Sequence, residues 1–204
     1  MGDATLPETW REPFELAWEG FLAGCLPIGA VVRGPDGRTA AAGRNRGLDA
    51  VAPPGQLAGV HIAHAEINAL AQLPIGGDHA GHVLWSTLEP CLMCRSALLH
   101  AHVGGLVYAA ADGVMGGRIE QVPQVGGFIA ERWVATVDGT SPAAGVPGVL
   151  GSLLMDLWRE VWYPRARRDT GTRALAREAV RTLPDLRTAA TLDDALPLLA
   201  PLLG

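Results

Sequence analysis

The sequence contains no lysine and only three cysteines. All sixteen basic residues are arginine, against twenty-one acidic residues, so the formal net charge is −5 over 204 residues. This acidic balance argues against strong binding to nucleic acid. Because three cysteines cannot form a disulfide framework of any size, we expect a reducing, cytoplasmic location.

Long apolar runs are also lacking. No stretch of about eighteen uncharged apolar residues occurs, so we expect no membrane span. The first five residues, Met-Gly-Asp-Ala-Thr, include neither a basic start nor an apolar segment, so we expect no signal peptide. Hydrophobic residues nevertheless make up 49% of the chain, which suffices for the core of one medium-sized domain.

The arginines are unevenly distributed. Eight lie between Arg159 and Arg187, where four acidic residues also occur, so this segment carries +4 and the rest of the chain −9. A solvated helical face is the favoured interpretation. Contact with RNA or another anion is the alternative.

The residues with the most evident chemistry form two motifs, His-Ala-Glu at 64–66 and Pro-Cys-Leu-Met-Cys at 90–94. An imidazole and two thiolates suit a tetrahedral zinc ion, and a catalytic zinc keeps three protein ligands and leaves the fourth position to water. We therefore predict Zn²⁺ as the cofactor, with His64, Cys91 and Cys94 as its ligands. The two cysteines are three residues apart and share one helix face, and the positive helix end favours their thiolates.

Glu66 is not needed as a ligand, and it lies two residues from His64. We predict that it is the catalytic residue and moves protons to and from the attacking water. A closed structural zinc site, with Cys25 or His61 as the fourth ligand, is the alternative interpretation. That alternative leaves Glu66 without a role.

Together the two motifs form the His-x-Glu…Pro-Cys-x-x-Cys signature of zinc-dependent base deaminases. Residues 14–117 resemble the cytidine/deoxycytidylate deaminase superfamily, and their motifs are most similar to the bacterial tRNA adenosine deaminase and guanine deaminase families. The resemblance is carried by residues 27–32, 43–46, 64–70, 87–94 and 103–112. The loop over residues 47–63 is longer than expected for the tRNA enzymes, and the chain continues past the usual C-terminal helix.

The resemblance also implies residues that contact the substrate. Asn45 matches the substrate-contacting asparagine of these families, and Asp112 matches a position that shapes the pocket. Ala65 is small, as a residue beside a flat ring should be. His61 lies three residues before His64 and is a further candidate for the border of the pocket.

Apolar periodicity predicts the elements that carry these motifs. Helices are expected up to Gly24, from His64 to Leu73, from the cysteines to His102, and from Leu150 to Trp162. Strands are expected at Ile28–Gly34, Thr39–Gly43, Val83–Leu88, Gly105–Ala110 and Trp133–Val137. This alternation predicts an α/β fold, and the resemblance implies a cytidine deaminase-like three-layer α-β-α sandwich with a five-stranded mixed sheet.

We divide the chain into a zinc-dependent deaminase domain, residues 1–168, and a C-terminal helical appendage, residues 169–204. The appendage has two apolar stripes but is too short to form its own core. Its leucines are therefore expected to be buried against the deaminase body or a second subunit, and we predict a homodimer.

Three functions remain open. The favoured one is hydrolytic deamination of a purine-type base, nucleoside or related heterocycle, with a small molecule as partner and release of ammonia. Deamination of adenosine in tRNA is the alternative, favoured by the Thr-Leu-Glu-Pro-Cys sequence at 87–91 and by the arginine segment. The third is a non-catalytic, zinc-stabilised interaction module.

Overall fold

A computed structural model describes residues 5–113, 127–136, 140–164 and 171–203. Helices cover both faces of a central mixed sheet. In chain order the elements are α1 (Glu8–Leu22), β1 (Gly29–Arg33), β2 (Thr39–Arg44), α2 (Ala65–Leu70), β3 (Val83–Leu88), α3 (Leu92–His100), β4 (Gly105–Ala110), α4 (Gly127–Thr136), α5 (Val146–Trp162), α6 (Arg173–Thr182) and α7 (Leu192–Leu199). Short 3₁₀ turns lie between α6 and α7, at Pro184–Arg187, and after α7, at Ala200–Leu202.

The strand order is β2-β1-β3-β4. β1 pairs antiparallel with both β2 and β3, so that Ala30 lies opposite Gly43 on one side and Ser86 on the other. β3 and β4 run parallel, and α3 provides the crossover that a parallel pair requires. Because these two strands end at the same edge, the loops after Leu88 and Ala110 lie side by side.

Alternate residues of β3 serve two separate cores. Leu84 and Leu88 pack with α2 and α3 on one face, whereas Trp85 packs against the α1 and α5 side. Helix α2 approaches β2 very closely at Gly43, where an added Cβ would lie 2.7 Å from the backbone nitrogen of Ala69. At this position, therefore, no side chain of β2 separates the sheet from the helix that carries Glu66.

The described residues contain four strands rather than five, which corrects the expected strand count, and the mixed sheet between helices on both faces is as expected. The predicted strand at Trp133 was wrong, because Gly127–Thr136 is helix α4. Ala130 and Trp133 are buried and lie three residues apart, a helical rather than an alternating pattern. The position beside β4 is taken by Pro142, which forms a single parallel bridge with Tyr108.

The appendage packs on its own chain. Helices α6 and α7 join α1 and α5 in one core through Ala176, Ala179 and Leu199, and the indole of Trp18 donates a hydrogen bond to the carbonyl of Ala189 over 3.2 Å. Leu175, expected to be buried, is 39% exposed, since α6 faces α5 with its small alanines instead. The domain division at residue 168 stays a prediction. Within the described ranges, no helix combines the length and apolarity that crossing a membrane requires.

Candidate active site

The beginnings of two helices bring the three predicted metal ligands together. His64 immediately precedes α2, Cys91 immediately precedes α3, and Cys94 lies in the first turn of α3. His64 Nδ1 is 3.7 Å from Cys91 Sγ and 3.4 Å from Cys94 Sγ, and the two sulfurs are 3.6 Å apart.

These separations fit a tetrahedral zinc ion. Zinc–sulfur bonds of about 2.3 Å and zinc–nitrogen bonds of about 2.0–2.1 Å place tetrahedral ligand atoms about 3.8 Å apart for two sulfurs and about 3.6 Å apart for sulfur and nitrogen. The observed distances agree to about 0.2 Å. In the part of the chain that the structure describes, this is the one group of His, Cys, Asp or Glu residues close enough to hold a metal ion.

The local electrostatics favour the thiolate form at one of the two sulfurs. The pKa of Cys91 is lowered to about 4, because hydrogen bonding with Cys94 outweighs its burial and His64 adds to the effect. The pKa of Cys94 is raised by that same hydrogen bond and by burial, and the pKa of His64 is raised by its contact with Cys91. Binding of a metal to this group would therefore release protons.

Glu66 is buried beside the ligands. Its Oε1 accepts a hydrogen bond from Ser86 Oγ over 3.1 Å, and its Oε2 lies 3.4 Å from Cys94 Sγ. Burial raises the pKa of Glu66 above its usual range. A carboxyl group held in this way can take up a proton and release it again.

The two candidates for a fourth protein ligand lie elsewhere. The Cys25 thiol donates a hydrogen bond to Asp49 Oδ1 over 3.3 Å, and His61 is exposed. Neither belongs to the ligand cluster among the described residues. The closed structural site therefore gains no support.

A cavity of about 270 Å³ opens beside His64. Its lining residues are Leu26, Asn45, Gly47, Leu48, Gly59, Val60, His61, His64, Trp158 and Tyr163. Asn45 and His61 both line this cavity, and their roles toward a substrate stay predictions. Asn45 is buried, and its Oδ1 accepts a hydrogen bond from the backbone of Gly47 over 3.1 Å.

Sequence reasoning missed the aromatic wall of this cavity. Trp158 and Tyr163 stack with ring centroids 5.3 Å apart and planes at 19°. The Trp158 indole donates to the carbonyl of Gly24 over 2.8 Å. Trp158 lies within the helix predicted from Leu150 to Trp162, and Tyr163 carried no signal, since it follows the last turn of α5 and precedes a proline.

Two predicted substrate residues do not line this cavity as described. Ala65 is fully buried, and Asp112 lies after β4, where its backbone nitrogen donates to Glu89 Oε2 over 3.1 Å. Glu89 also accepts from Arg95 Nη2 at 2.5 Å, and Arg95 Nε donates to the carbonyl of Pro90 over 2.9 Å. The ion pair of Glu89 and Arg95 therefore holds the loop that carries the cysteines. Sequence reasoning missed this pair, although its signal is present: an acidic and a basic residue flank the motif at 90–94.

Comparison with known proteins agrees with this geometry. Residues 10–110 match the family model of the cytidine and deoxycytidylate deaminase zinc-binding region. The tRNA(Ile)-lysidine synthase of Deinococcus deserti is 35% identical over 153 residues, covering 72% of this chain and 26% of that protein. The tRNA-specific adenosine deaminase of Haemophilus influenzae is 32% identical, covering 53% of this chain and 61% of that protein. The chain thus spans less than two thirds of these relatives.

Solved structures extend the similarity beyond the motifs. A guanine deaminase from Nitrosomonas europaea superposes with a TM-score of 0.53 at 25% identity, over 80% of this chain and 87% of that one. A structure in complex with 2,6-diaminopurine gives a TM-score of 0.51 at 26% identity, over 76% and 79% of the two chains. Through residues 10–110, the chain belongs to the zinc-binding cytidine and deoxycytidylate deaminase superfamily.

Proposed function

We propose that this deaminase hydrolyses the exocyclic amine of a free purine-type base, nucleoside or related heterocycle to a carbonyl, with release of ammonia. The observation that carries the proposal is the composition of the cavity beside His64. It combines an asparagine amide with a stacked aromatic pair, and the lining residues that the structure describes include no arginine.

The cavity suits a flat, amine-bearing ring. Its volume lies near the lower end of the range of about 300–1,000 Å³ that small-molecule pockets occupy. Trp158 and Tyr163 offer a π-face against which a ring can stack. Because Asn45 uses its Oδ1 on the Gly47 backbone, its amide nitrogen is the group oriented to donate to a ring acceptor.

The charges around the cavity favour a substrate without a phosphate backbone. Affinity for RNA comes largely from cations that neutralise phosphates. Arg44 and Arg46, on either side of the lining residue Asn45, both bind Asp49 at 2.8 Å. The similarity to a guanine deaminase and to a diaminopurine-bound structure supports a purine ring.

The residues divide the chemistry between them. His64, Cys91 and Cys94 would hold a zinc ion, which when bound would act as a Lewis acid and lower the pKa of its water to about 7. Glu66 takes a proton from the water that attacks the amine-bearing ring carbon. It delivers this proton to the ring nitrogen, then takes the proton of the added hydroxyl group and delivers it to the departing amine, so that a carbonyl forms and ammonia leaves. Such acid–base catalysis contributes about 10² to 10⁴ in rate.

Deamination of adenosine in tRNA is the second candidate. It is favoured by the 32% identity to the Haemophilus influenzae enzyme. The described arginines of the segment 159–187 give it little support, because several are held in ion pairs: Arg159 with Asp156, Arg173 with Glu160, and Arg181 with Glu178. Residues 165–170 lie outside the described part of the chain.

Ammonia release tests the proposal. The zinc-loaded protein is assayed with a panel of free bases and nucleosides and, in parallel, with an anticodon stem-loop. Turnover of at least one free heterocycle is expected. Inosine formation in the stem-loop without activity on any free heterocycle would favour the tRNA function, and bound zinc without any turnover would favour the interaction module.

A cytoplasmic homodimer is part of the same proposal. Association would bury apolar surface that one subunit leaves exposed, such as Ile75, which is fully exposed in the described chain.

A further inference from the structure

We propose that Asp49 is a positioning residue that fixes Asn45 against the cavity by holding the two arginines on either side of it, Arg44 and Arg46. The inference rests on the proposed function, since it gives Asn45 the task of holding the substrate. Nothing in the sequence motifs pointed to Asp49, which lies inside the long loop over residues 47–63.

Three charged side chains meet in a small, mostly buried cluster. Asp49 Oδ2 accepts from Arg44 Nη2 and from Arg46 Nη1, each over 2.8 Å. The side chains of Arg44, Arg46 and Asp49 are 10%, 13% and 12% exposed. Removing such charges from water is costly unless their geometry is good. One carboxylate that satisfies two arginines at this depth therefore constrains both of them.

The cluster is directly connected to Asn45. Arg44 Nη1 donates to the backbone carbonyl of Asn45 over 2.9 Å. On the other side, the backbone nitrogen of Asp49 donates to the carbonyl of Arg46 over 3.1 Å. The backbone is thus fixed before and after Asn45, and the Gly47 nitrogen sets the orientation of its amide.

Arg46 also binds the second half of the loop over residues 47–63. The carbonyl of Arg46 accepts from the backbone nitrogen of Gly59 over 3.0 Å, and Arg46 Nε donates to Gln56 Oε1 over 2.8 Å. Gly59 lines the cavity with its neighbours Val60 and His61. Asp49 therefore holds two walls of the cavity that are far apart in the sequence.

This arrangement predicts an effect on substrate binding rather than on chemistry. Asp49 touches neither the metal ligands nor Glu66, so Asp49→Asn should keep its zinc. Losing charge-assisted hydrogen bonds should loosen Asn45 and raise KM by about tenfold, with kcat changed by less than about threefold. Asp49→Glu keeps the charge but lengthens the side chain, so its KM should lie between those of the wild type and Asp49→Asn.

The test uses steady-state kinetics on the heterocycle identified by ammonia release. Zinc content is measured for each variant. Arg46→Gln is the second variant, because it leaves a balanced Arg44–Asp49 pair and folds even if Asp49→Asn does not; its KM should also rise. Glu178→Gln is the matched control, since it removes an exposed ion pair with Arg181 and should leave KM unchanged.

An unchanged KM in folded, zinc-loaded Asp49→Asn or Arg46→Gln would overturn the inference, as would a fall in kcat at constant KM. Hydrogen exchange over residues 45–61 supplies a readout that needs no substrate. If the wild-type protein deaminates no heterocycle, the proposed function fails, and the positioning role of Asp49 is then tested by hydrogen exchange alone. Faster exchange of residues 45–61 in Asp49→Asn than in Glu178→Gln supports the positioning role of Asp49, and equal exchange overturns it.

Discussion

Ser86 Oγ donates a hydrogen bond to Glu66 Oε1 over 3.1 Å, and both side chains are buried. Ser86 lies on β3, on the face that Leu84 and Leu88 turn toward α2 and α3. A hydroxyl group can donate to a carboxylate and can rotate to accept from the protonated acid. The contact can therefore persist while Glu66 changes its protonation state.

Zinc content tests the ligand assignment. We expect one zinc per chain, with Cys94→Ala losing the metal and unfolding at a lower temperature, because the site joins α2 to α3. Cys25→Ala is the matched control: it removes another buried cysteine, outside the cluster, and should keep the zinc. Full zinc in Cys94→Ala would refute the assignment.

Glu66→Gln should separate metal binding from catalysis. The variant keeps the size of the side chain, so fold and zinc content should remain, while turnover falls by about 10² or more because no proton carrier is left. Ser86→Ala should lower kcat less, since it removes only the support of the carboxylate. Loss of zinc from Glu66→Gln would instead mark Glu66 as a ligand.

The aromatic wall predicts a stacking contribution to substrate binding. Tyr163 is 59% exposed, so Tyr163→Ala should leave stability nearly unchanged. Its KM should rise about tenfold, as expected for the loss of a stacking partner of a base, and Tyr163→Phe should behave like the wild type. Trp162→Ala is the control, because Trp162 is 48% exposed on the same turn but does not line the cavity. Equal KM values for both alanine variants would contradict the prediction.

Two leucines of the appendage should differ in their effect on stability. Leu199 is fully buried in the core shared with α1 and α5, so Leu199→Ala should lower the free energy of unfolding by about 2–5 kcal/mol. Leu175→Ala, at 39% exposure, should have a much smaller effect. Neither should change zinc content. Equal melting temperatures for wild type and Leu199→Ala would show that the appendage is dispensable.

The buried cluster around Asp49 predicts a dependence of stability on pH. Burial acts to raise the pKa of Asp49, but hydrogen bonds from Arg44, Cys25 and Arg46 outweigh it and the pKa is lowered. Such a group contributes stability that is complete above its unfolded pKa of about 3.9 and is lost as the pH falls through the folded value. In urea unfolding, the difference between wild type and Asp49→Asn should therefore shrink below about pH 4. A difference that grows there would exclude this linkage.

The sequence was sufficient where the signal was local. β3 and β4 were predicted with their observed limits, because each is an apolar run bounded by glycine, proline or charge. The three candidate metal ligands could be proposed from the sequence because chemistry and spacing constrain them, and the structure brings them together. Helix α4 was missed, since the apolar residues near Trp133 were interpreted with the alternating period of a strand.

Residues that act through tertiary contacts could not be found in this way. Ser86, Asp49 and Tyr163 have ordinary neighbours along the chain, and each becomes informative only when packing brings it to Glu66, to two arginines or to the cavity. The expected burial of the appendage leucines is confirmed for Leu192, Leu199 and Leu203 but was wrong for Leu175, because α6 faces α5 with its alanines.

The close approach of α2 to β2 at Gly43 has a consequence for how this site can diversify. The close backbone contact fixes α2 against the sheet, and the hydrogen bond from Ser86 orients the Glu66 carboxylate, so little rearrangement accompanies reaction. The cavity walls, by contrast, consist of a long loop and the aromatic end of α5. Substitutions there can alter which ring is accepted while the proton-transfer machinery stays in place, so new substrate preferences would arise at the walls and not at the two ligand-bearing helices.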